Sequence, residues 1–291
     1  METSELLKKV RRIEIKTKGL SNHLFAGEYH STFKGKGMSF SEVREYQYGD
    51  DIRLIDWNVT ARLNNPYVKV FEEERELTVM LLIDVSQSDY FGTKQQFKNE
   101  MMTEIAAVLS FSAIQNNDKV GLLLFSDKVE TYIPPKKGKQ HILRIIRELL
   151  DFKPQSNGTD IQNALRHFNN MMKKRSITFL MSDFIDQNYE KALNIAGRRH
   201  DLIGINITDI REKELPSMGL VRFRDPETSQ IKWIDTSRRD IRKTYSNWYE
   251  QHITELKQTF IRSKADLISI QTDEPYTTAL LNFFKNRGRR R

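Results

Sequence analysis

Cysteine is absent from all 291 residues, and with it go disulfides, thiolate catalysis and thiolate-ligated zinc or iron–sulfur clusters. Long apolar runs are missing too. The longest, such as Thr78 to Ile83, are strand-sized, whereas a membrane-spanning helix needs roughly 20 apolar residues. The opening METSELLKKVRR places charges where an export signal has its apolar stretch, so a cytoplasmic protein without a secretory peptide is expected. The phosphate-cradling G-x-x-x-x-G-K-[ST] is missing, as are G-x-G-x-x-G and H-E-x-x-H; KGKGMSF has too few residues between its glycines to build the first. Neither an internal repeat nor a low-complexity segment is found.

What remains is a globular composition. With 38% hydrophobic and 30% charged residues, the chain is long enough for one large α/β core and a flanking subdomain. The net charge of +8 favours acidic partners and brings nucleic acid into consideration. The charge is diffuse, however. Its one dense run, Lys285 to Arg291, reads as a solubilising tail in preference to a nucleic-acid arm.

From about Leu77 the signals alternate as in an α/β protein. The strand-like TVMLLID is followed by Lys94 to Gln115, where Phe97, Met101, Ile105, Val108 and Ser112 recur at steps of three and four and predict a helix with one apolar stripe. Val120 to Pro135 reads as two strands around Ser126-Asp127-Lys128, and HILRIIRELLDF as a helix ending before Pro154. Thr159 is placed to cap a helix through Met172. Ser176 to Phe184 is a fully buried strand, a short helix follows, and Asp201 to Asp209 is another strand. Strands buried on both faces with helices between them predict a doubly wound, mostly parallel sheet of Rossmann type.

Residues 1–76 form an N-terminal flanking region with a short amphipathic helix around Leu6, Leu7 and Val10; 77–215 form the core; 216–291 complete the fold. This last part opens with a hairpin, Gly219 to Asp235, turned at Asp225-Pro226. A long helix, a short strand (Asp266 to Ile270) and a final helix carrying Leu280, Leu281, Phe283 and Phe284 follow.

Asp84, Ser86 and Ser88 occupy alternate positions where the first buried strand ends. The carboxyl ends of parallel strands form the crevice in which α/β folds bind ligands. Oxygen-only side chains select hard cations such as Mg²⁺, Mn²⁺ or Ca²⁺. A D-x-S-x-S string alone is expected by chance in roughly one chain in ten of this length, so its company matters. Thr159 follows Gly158 just before a helix, and Asp183 ends a later strand. Capping of helices and ends of strands would separately explain each residue; it gives no reason for all five to share one edge.

Together Asp84, Ser86, Ser88, Thr159 and Asp183 resemble the metal-ion-dependent adhesion site of the von Willebrand factor A family. That resemblance implies a single divalent cation, Mg²⁺ foremost with Mn²⁺ or Ca²⁺ as alternatives. Ser86, Ser88 and Thr159 would touch it directly or in a ligand-dependent way, Asp84 and Asp183 would supply charge directly or through water, and a sixth position would take a partner's carboxylate. Phe184 stands where many adhesion domains have glycine, which predicts a bulkier rim.

Upstream, Gly27 to Glu76 carries glycines at 27, 35, 37 and 49, and the acids Asp50, Asp51 and Asp56 near Arg44, Arg53 and Arg62, which predicts a paired polar network. Its core of Arg44, Tyr46, Gly49, Asp50, Asp51, Arg53, Ile55, Asp56 and Trp57, followed by Thr60-Ala61-Arg62, closely resembles the bacterial domain-of-unknown-function family 58. Downstream, VGLLLFSD, LMSDF and TDEPYTTALLNFFKNR are similar to the same family. Members typically combine this block with a von Willebrand-like core and are encoded beside MoxR-type AAA+ ATPases. The resemblance therefore implies a non-enzymatic adaptor or cofactor, partnered by a protein that offers an acidic side chain: such an ATPase or its client. Many relatives carry N-terminal membrane helices; no such span is visible here.

Two other function classes are weighed. A Mg²⁺-dependent phosphoryl-transfer hydrolase of haloacid-dehalogenase type would also hold metal on strand-end aspartates, but its nucleophile is followed two residues on by a second aspartate, and that position is Ser86. A nucleic-acid-binding protein would rest on net charge and the Arg-rich end, without a groove-reading helix or stacking platform. The six histidines (His23, His30, His141, His167, His200, His252) are scattered and read as surface or packing residues.

Overall fold

The computed structural model describes residues 11, 13, 39–72, 77–86, 98–156, 158–224 and 231–289. The helix expected around Leu6, Leu7 and Val10, the stripe residue Phe97, the candidate ligand Ser88 and the Asp225-Pro226 turn lie outside the described residues. Two compact units are formed, one within Phe33–Leu77 and the other from Thr78 onward.

In the smaller unit, strands β1 (Ser39–Glu45) and β2 (Tyr67–Glu72) pair antiparallel. Asp51 caps the 3-10 turn Ile52–Leu54 by accepting the Arg53 N–H at 3.0 Å, and Asp56 caps helix α1 (Trp57–Leu63) through the N–H groups of Asn58 and Val59. Of the expected network, Arg44 and Asp50 form a two-pronged pair at 2.8 and 2.7 Å. The ion-pair partner of Asp56 is Lys69 at 3.4 Å instead of an arginine of the block. Two of the three acids act locally because a short carboxylate beside a helix start is claimed first by backbone N–H groups.

The larger unit begins with β3 (Thr78–Asp84), helix α2 (Lys98–Gln115), β4 (Lys119–Phe125), β5 (Val129–Lys136) and α3 (Lys139–Asp151). It continues with α4 (Ile161–Met171), β6 (Ile177–Ser182), α5 (Glu190–Arg199), β7 (Asp201–Thr208) and the short α6 (Ile210–Lys213). Its last part is the hairpin β8 (Leu220–Arg224) and β9 (Ile231–Asp235), then the long α7 (Arg239–Arg262), β10 (Asp266–Gln271) and α8 (Tyr276–Arg289). Six strands form one sheet in the order β10-β7-β6-β3-β4-β5. All neighbours run parallel except the hairpin pair β4 and β5. The fold is thus the expected doubly wound, mostly parallel α/β sheet.

Helices cover both faces. On one, Leu165 and Phe168 of α4, Leu193 of α5, and Leu256 and Phe260 of α7 pack on Met80, Leu82, Leu123 and Leu180 of the sheet. Gly204 in β7 permits this approach, because a Cβ there would lie 2.4 Å from the Phe260 ring. On the other, α2 packs against β3, β4 and β7 and against α3. The single apolar stripe expected for α2 is an underestimate: from Met101 to Ala113 only Glu104 escapes full burial. Small residues make this possible. Ala106, Ala107, Ser110 and Ser112 fill the remaining faces, and the Ser112 hydroxyl is satisfied by the Val108 carbonyl at 2.8 Å.

The strand order fixes where a ligand can sit. From β3 the chain moves outward to β4 and β5, then crosses back to place β6, β7 and β10 on the other side of β3. The connections therefore diverge between β3 and β6, and the crevice of such a sheet opens at the carboxyl ends of those two strands. Asp84 ends β3 and Asp183 follows β6.

Candidate metal centre

β3 is buried from Val79 to Asp84, so its terminal carboxylate leaves the sheet inside the protein, with Asp84 only 1% exposed. Its Oδ1 accepts the Ser86 N–H at 3.0 Å, the turn that a short carboxylate makes with the backbone two residues on. Its Oδ2 accepts the Ser182 hydroxyl at 2.8 Å. These bonds favour the charged form. Burial opposes it more strongly and the nearby Asp183 carboxylate adds to that, so the Asp84 carboxyl is pushed up to about 7.

Ser182, unremarked in the sequence, holds the two strand ends together. Its hydroxyl donates to Asp84 on β3 while accepting the Phe184 N–H at 3.0 Å. The signal available was its place beside Asp183, at the end of a strand buried throughout.

Asp183 is also buried, and its Oδ1 accepts the Ile185 N–H at 3.2 Å. Phe184 between them corrects the expectation of a bulky rim. Its backbone takes the left-handed conformation usual for glycine, φ +57°, at a cost of about 1–2 kcal/mol for a residue with a Cβ. The ring turns inward, fully buried, and meets Phe260 edge-on at 5.2 Å and Tyr189 at 6.3 Å. Core packing offsets the backbone strain, and the rim is left without this side chain.

A cationic side chain reaches the site from α2. The Lys98 side chain is fully buried, with its Nζ 3.1 Å from Asp183 Oδ2 and 2.5 Å from Glu212 Oε1. Glu212 in turn accepts the Asp209 N–H through Oε2 at 2.9 Å, completing a capping box on α6. Burial raises the Glu212 carboxyl above its ordinary value, and the Lys98 ammonium draws it back. Neither residue was singled out from sequence. Lys98 lies three residues before Met101 and seven before Ile105, in register with the buried stripe, and a charge at such a position is the signal that was available. Glu212 was legible as the last residue of D-x-x-E, Asp209 to Glu212.

Thr159 is not the cap it was expected to be. Asp160 takes that place, accepting the Asn163 N–H at 2.7 Å; of two adjacent capping residues, the carboxylate adjoining the first helical residue prevails. The half-buried Thr159 stands in the loop just before. That loop is anchored on both sides: the Asp160 N–H donates to the Ser126 carbonyl at 2.9 Å, and Asp186 Oδ2 accepts the Ile161 N–H at 2.8 Å. Asp186, also missed, thus ties the Thr159 loop to the loop after β6, and burial raises its carboxyl.

Asp84, Ser86 and Asp183 accordingly lie at one edge of the sheet, with the Thr159 loop tethered to it. Among the described residues no group of three or more His, Cys, Asp or Glu side chains could by itself hold a metal ion, so any ion here would depend on hydroxyl oxygens as well. The donor chemistry fits a hard cation: two buried carboxylates close enough to repel each other, with Ser86 beside Asp84. Among the described residues, Lys98 is ion-paired with Asp183 and Glu212, while Asp84 and Asp186 place further negative charge close to Asp183.

The chain is similar to the uncharacterized protein Rv1480 of Mycobacterium tuberculosis, at 27% identity over 294 residues covering 99% of this chain and 92% of that protein. Among solved structures it is similar to the conserved hypothetical protein BatB from Bacteroides thetaiotaomicron, with 12% identity and a TM-score of 0.48 over 73% of this chain and 99% of that one. It is also similar to the SpRpn10 VWA domain, with 13% identity and a TM-score of 0.40 over 72% of this chain and 95% of that one. In the described residues no helix is long and apolar enough to cross a membrane. The family model described as "Protein of unknown function DUF58" matches residues 42–255, most of the chain, and the protein belongs to that family.

Proposed function

We propose that this protein is a divalent-cation-dependent protein-interaction module without catalytic chemistry of its own, and that it serves as an adaptor or cofactor for a MoxR-type AAA+ ATPase in the maturation or remodelling of protein complexes. The observation that carries the reading is the pair Asp84 and Asp183, buried together at the point where the sheet's connections diverge. Two carboxylates taken out of water are costly unless positive charge accompanies them, and the Lys98 ammonium, ion-paired with Asp183, is shared with Glu212. An Mg²⁺ ion, or Mn²⁺ or Ca²⁺ in its place, would supply further positive charge. Asp84, Ser86, Asp183, Thr159 and, by its place in the sequence, Ser88 would hold it.

When bound, such an ion offers a positive centre that a partner's carboxylate can ligate, and a contact of this kind can decide an otherwise small interface. The choice of a MoxR-type ATPase rests on the family resemblance of the Arg44–Arg62 block. A phosphoryl-transfer reading is less well supported, since the position two after Asp84 is Ser86, buried and without acid–base chemistry of its own. The test is capture of the purified cognate ATPase by the purified protein in Mg²⁺ and again in EDTA, with Asp84→Asn alongside. Capture that needs Mg²⁺ and is lost in the variant supports the proposal; equal capture in chelator overturns it.

A further inference from the structure

Lys98 occupies an unusual position for an ammonium group, since its side chain is fully buried at the first residue of α2. It lies between two carboxylates that are built alike. Asp183 holds a backbone N–H, that of Ile185, on one oxygen and Lys98 on the other; Glu212 holds the Asp209 N–H on one oxygen and Lys98 on the other. The lysine is thus shared between the loop that follows β6 and helix α6, which follows β7. Asp84, one strand away, receives hydrogen bonds from Ser86 and Ser182.

We propose that Lys98 is a resident counter-ion that competes with the divalent cation for Asp183, and that Glu212 governs the strength of that competition by drawing the ammonium away. This deepens the cation-site reading and rests on it. An ammonium 3.1 Å from Asp183 Oδ2 already provides there the positive charge that a metal would provide, and in a buried setting like charges repel strongly. Lowering that repulsion needs the lysine held elsewhere, and Glu212, at 2.5 Å, is the group that holds it. Glu212 therefore belongs to the site without being a ligand. The arrangement keeps the ion weakly held until a further carboxylate, such as a partner's, completes its surroundings.

The proposal makes opposite predictions for two neighbours that form one ion pair. Mn²⁺ binding to the full chain, measured by calorimetry and by the loss of free-Mn²⁺ paramagnetic resonance, should tighten tenfold or more in Lys98→Met. It should weaken tenfold or more in Glu212→Gln, where the carboxylate that draws the ammonium from Asp183 is gone. If Lys98→Met does not fold because Asp183 and the partly buried Glu212 lose this partner, the double variant Lys98→Met/Glu212→Gln removes both halves of the pair and should bind more tightly than the parent, far above Glu212→Gln. A merely structural role for the pair would move both single variants in the same direction, and that result, or shifts under threefold in both, overturns the proposal. Parent binding that Asp84→Asn abolishes, combined with same-direction shifts, removes this inference and leaves the cation site standing. Absence of Mn²⁺ binding in the parent and in every variant removes both.

Discussion

Replacing Asp84 by asparagine separates the charge of this residue from its hydrogen bonds. Burial and the Asp183 carboxylate push the Asp84 carboxyl from 3.8 to about 7. Ionising it in the cation-free fold therefore costs about 4 kcal/mol more than in the unfolded chain. Because the folded value is raised, the associated stability is fully present below about pH 4 and is lost as pH climbs through about 7. Asparagine cannot ionise and escapes this loss. It has one acceptor oxygen where the carboxylate accepts both the Ser86 N–H and the Ser182 hydroxyl, so it forfeits about 1 kcal/mol. At pH 8.5 in EDTA the variant should therefore exceed the parent by about 2–3 kcal/mol, a melting temperature higher by several degrees at roughly 2 °C per kcal/mol for a chain of this size. At pH 4 the order should reverse by about 1 kcal/mol. Millimolar Mg²⁺ at pH 8.5 should raise the parent's melting temperature and leave the variant unmoved. The assay is calorimetric melting of both proteins at the two pH values, with and without Mg²⁺. A variant less stable than the parent at both pH values, or raised by Mg²⁺ as much as the parent, would refute the reasoning.

Three further outcomes are expected. Ser182→Ala removes the hydroxyl that joins Asp84 to the Phe184 N–H, and denaturant unfolding should register a loss of about 2 kcal/mol together with weaker cation binding. Phe184→Gly relieves the positive-φ strain but empties a fully buried ring position; stability should fall by a net of about 3 kcal/mol, while cation affinity stays within a few-fold, since the ring faces the core and not the rim. His200 is buried on Phe168, and burial, with Arg199 and Arg175 nearby, lowers it to about 4. Its contribution, up to about 3 kcal/mol, is complete above pH 6.5 and declines as the solution is acidified toward 4, so His200→Gln should flatten the parent's acid-side stability profile.

Much of the fold could be read directly because its signals are local. A run such as Thr78–Asp84, apolar without alternation, is what a strand covered on both faces requires, and the structure buries it from Val79 onward. Strand-end aspartates in such a sheet point to the crevice before any coordinates exist, and Asp84 and Asp183 are found there. The misreadings come from competition that sequence alone does not arbitrate. Thr159 and Asp160 are both good caps, and only the packed loop decides that Asp160 serves. Helix α2 displays one stripe, yet Ala106, Ala107, Ser110 and Ser112 are small enough to be buried wherever a neighbour arrives. Lys98, Ser182 and Asp186 gained their roles through partners 85, 98 and 25 residues away in the chain, contacts that only the sheet order creates. Phe184 shows a further limit. Its place where many adhesion domains have glycine predicted a bulkier rim, yet the left-handed backbone is kept and the ring packs inward on Phe260 and Tyr189.

The proposed function requires a divalent cation at the carboxyl edge between β3 and β6. A crystal of the protein soaked in Mn²⁺ and measured at the manganese absorption edge tests it most directly. One anomalous peak bounded by Asp84, Ser86, Thr159 and Asp183 is expected, together with its loss in Asp84→Asn. Ordered loops around Ser86 and Thr159 with no anomalous signal between them, at tens of millimolar Mn²⁺, would contradict it.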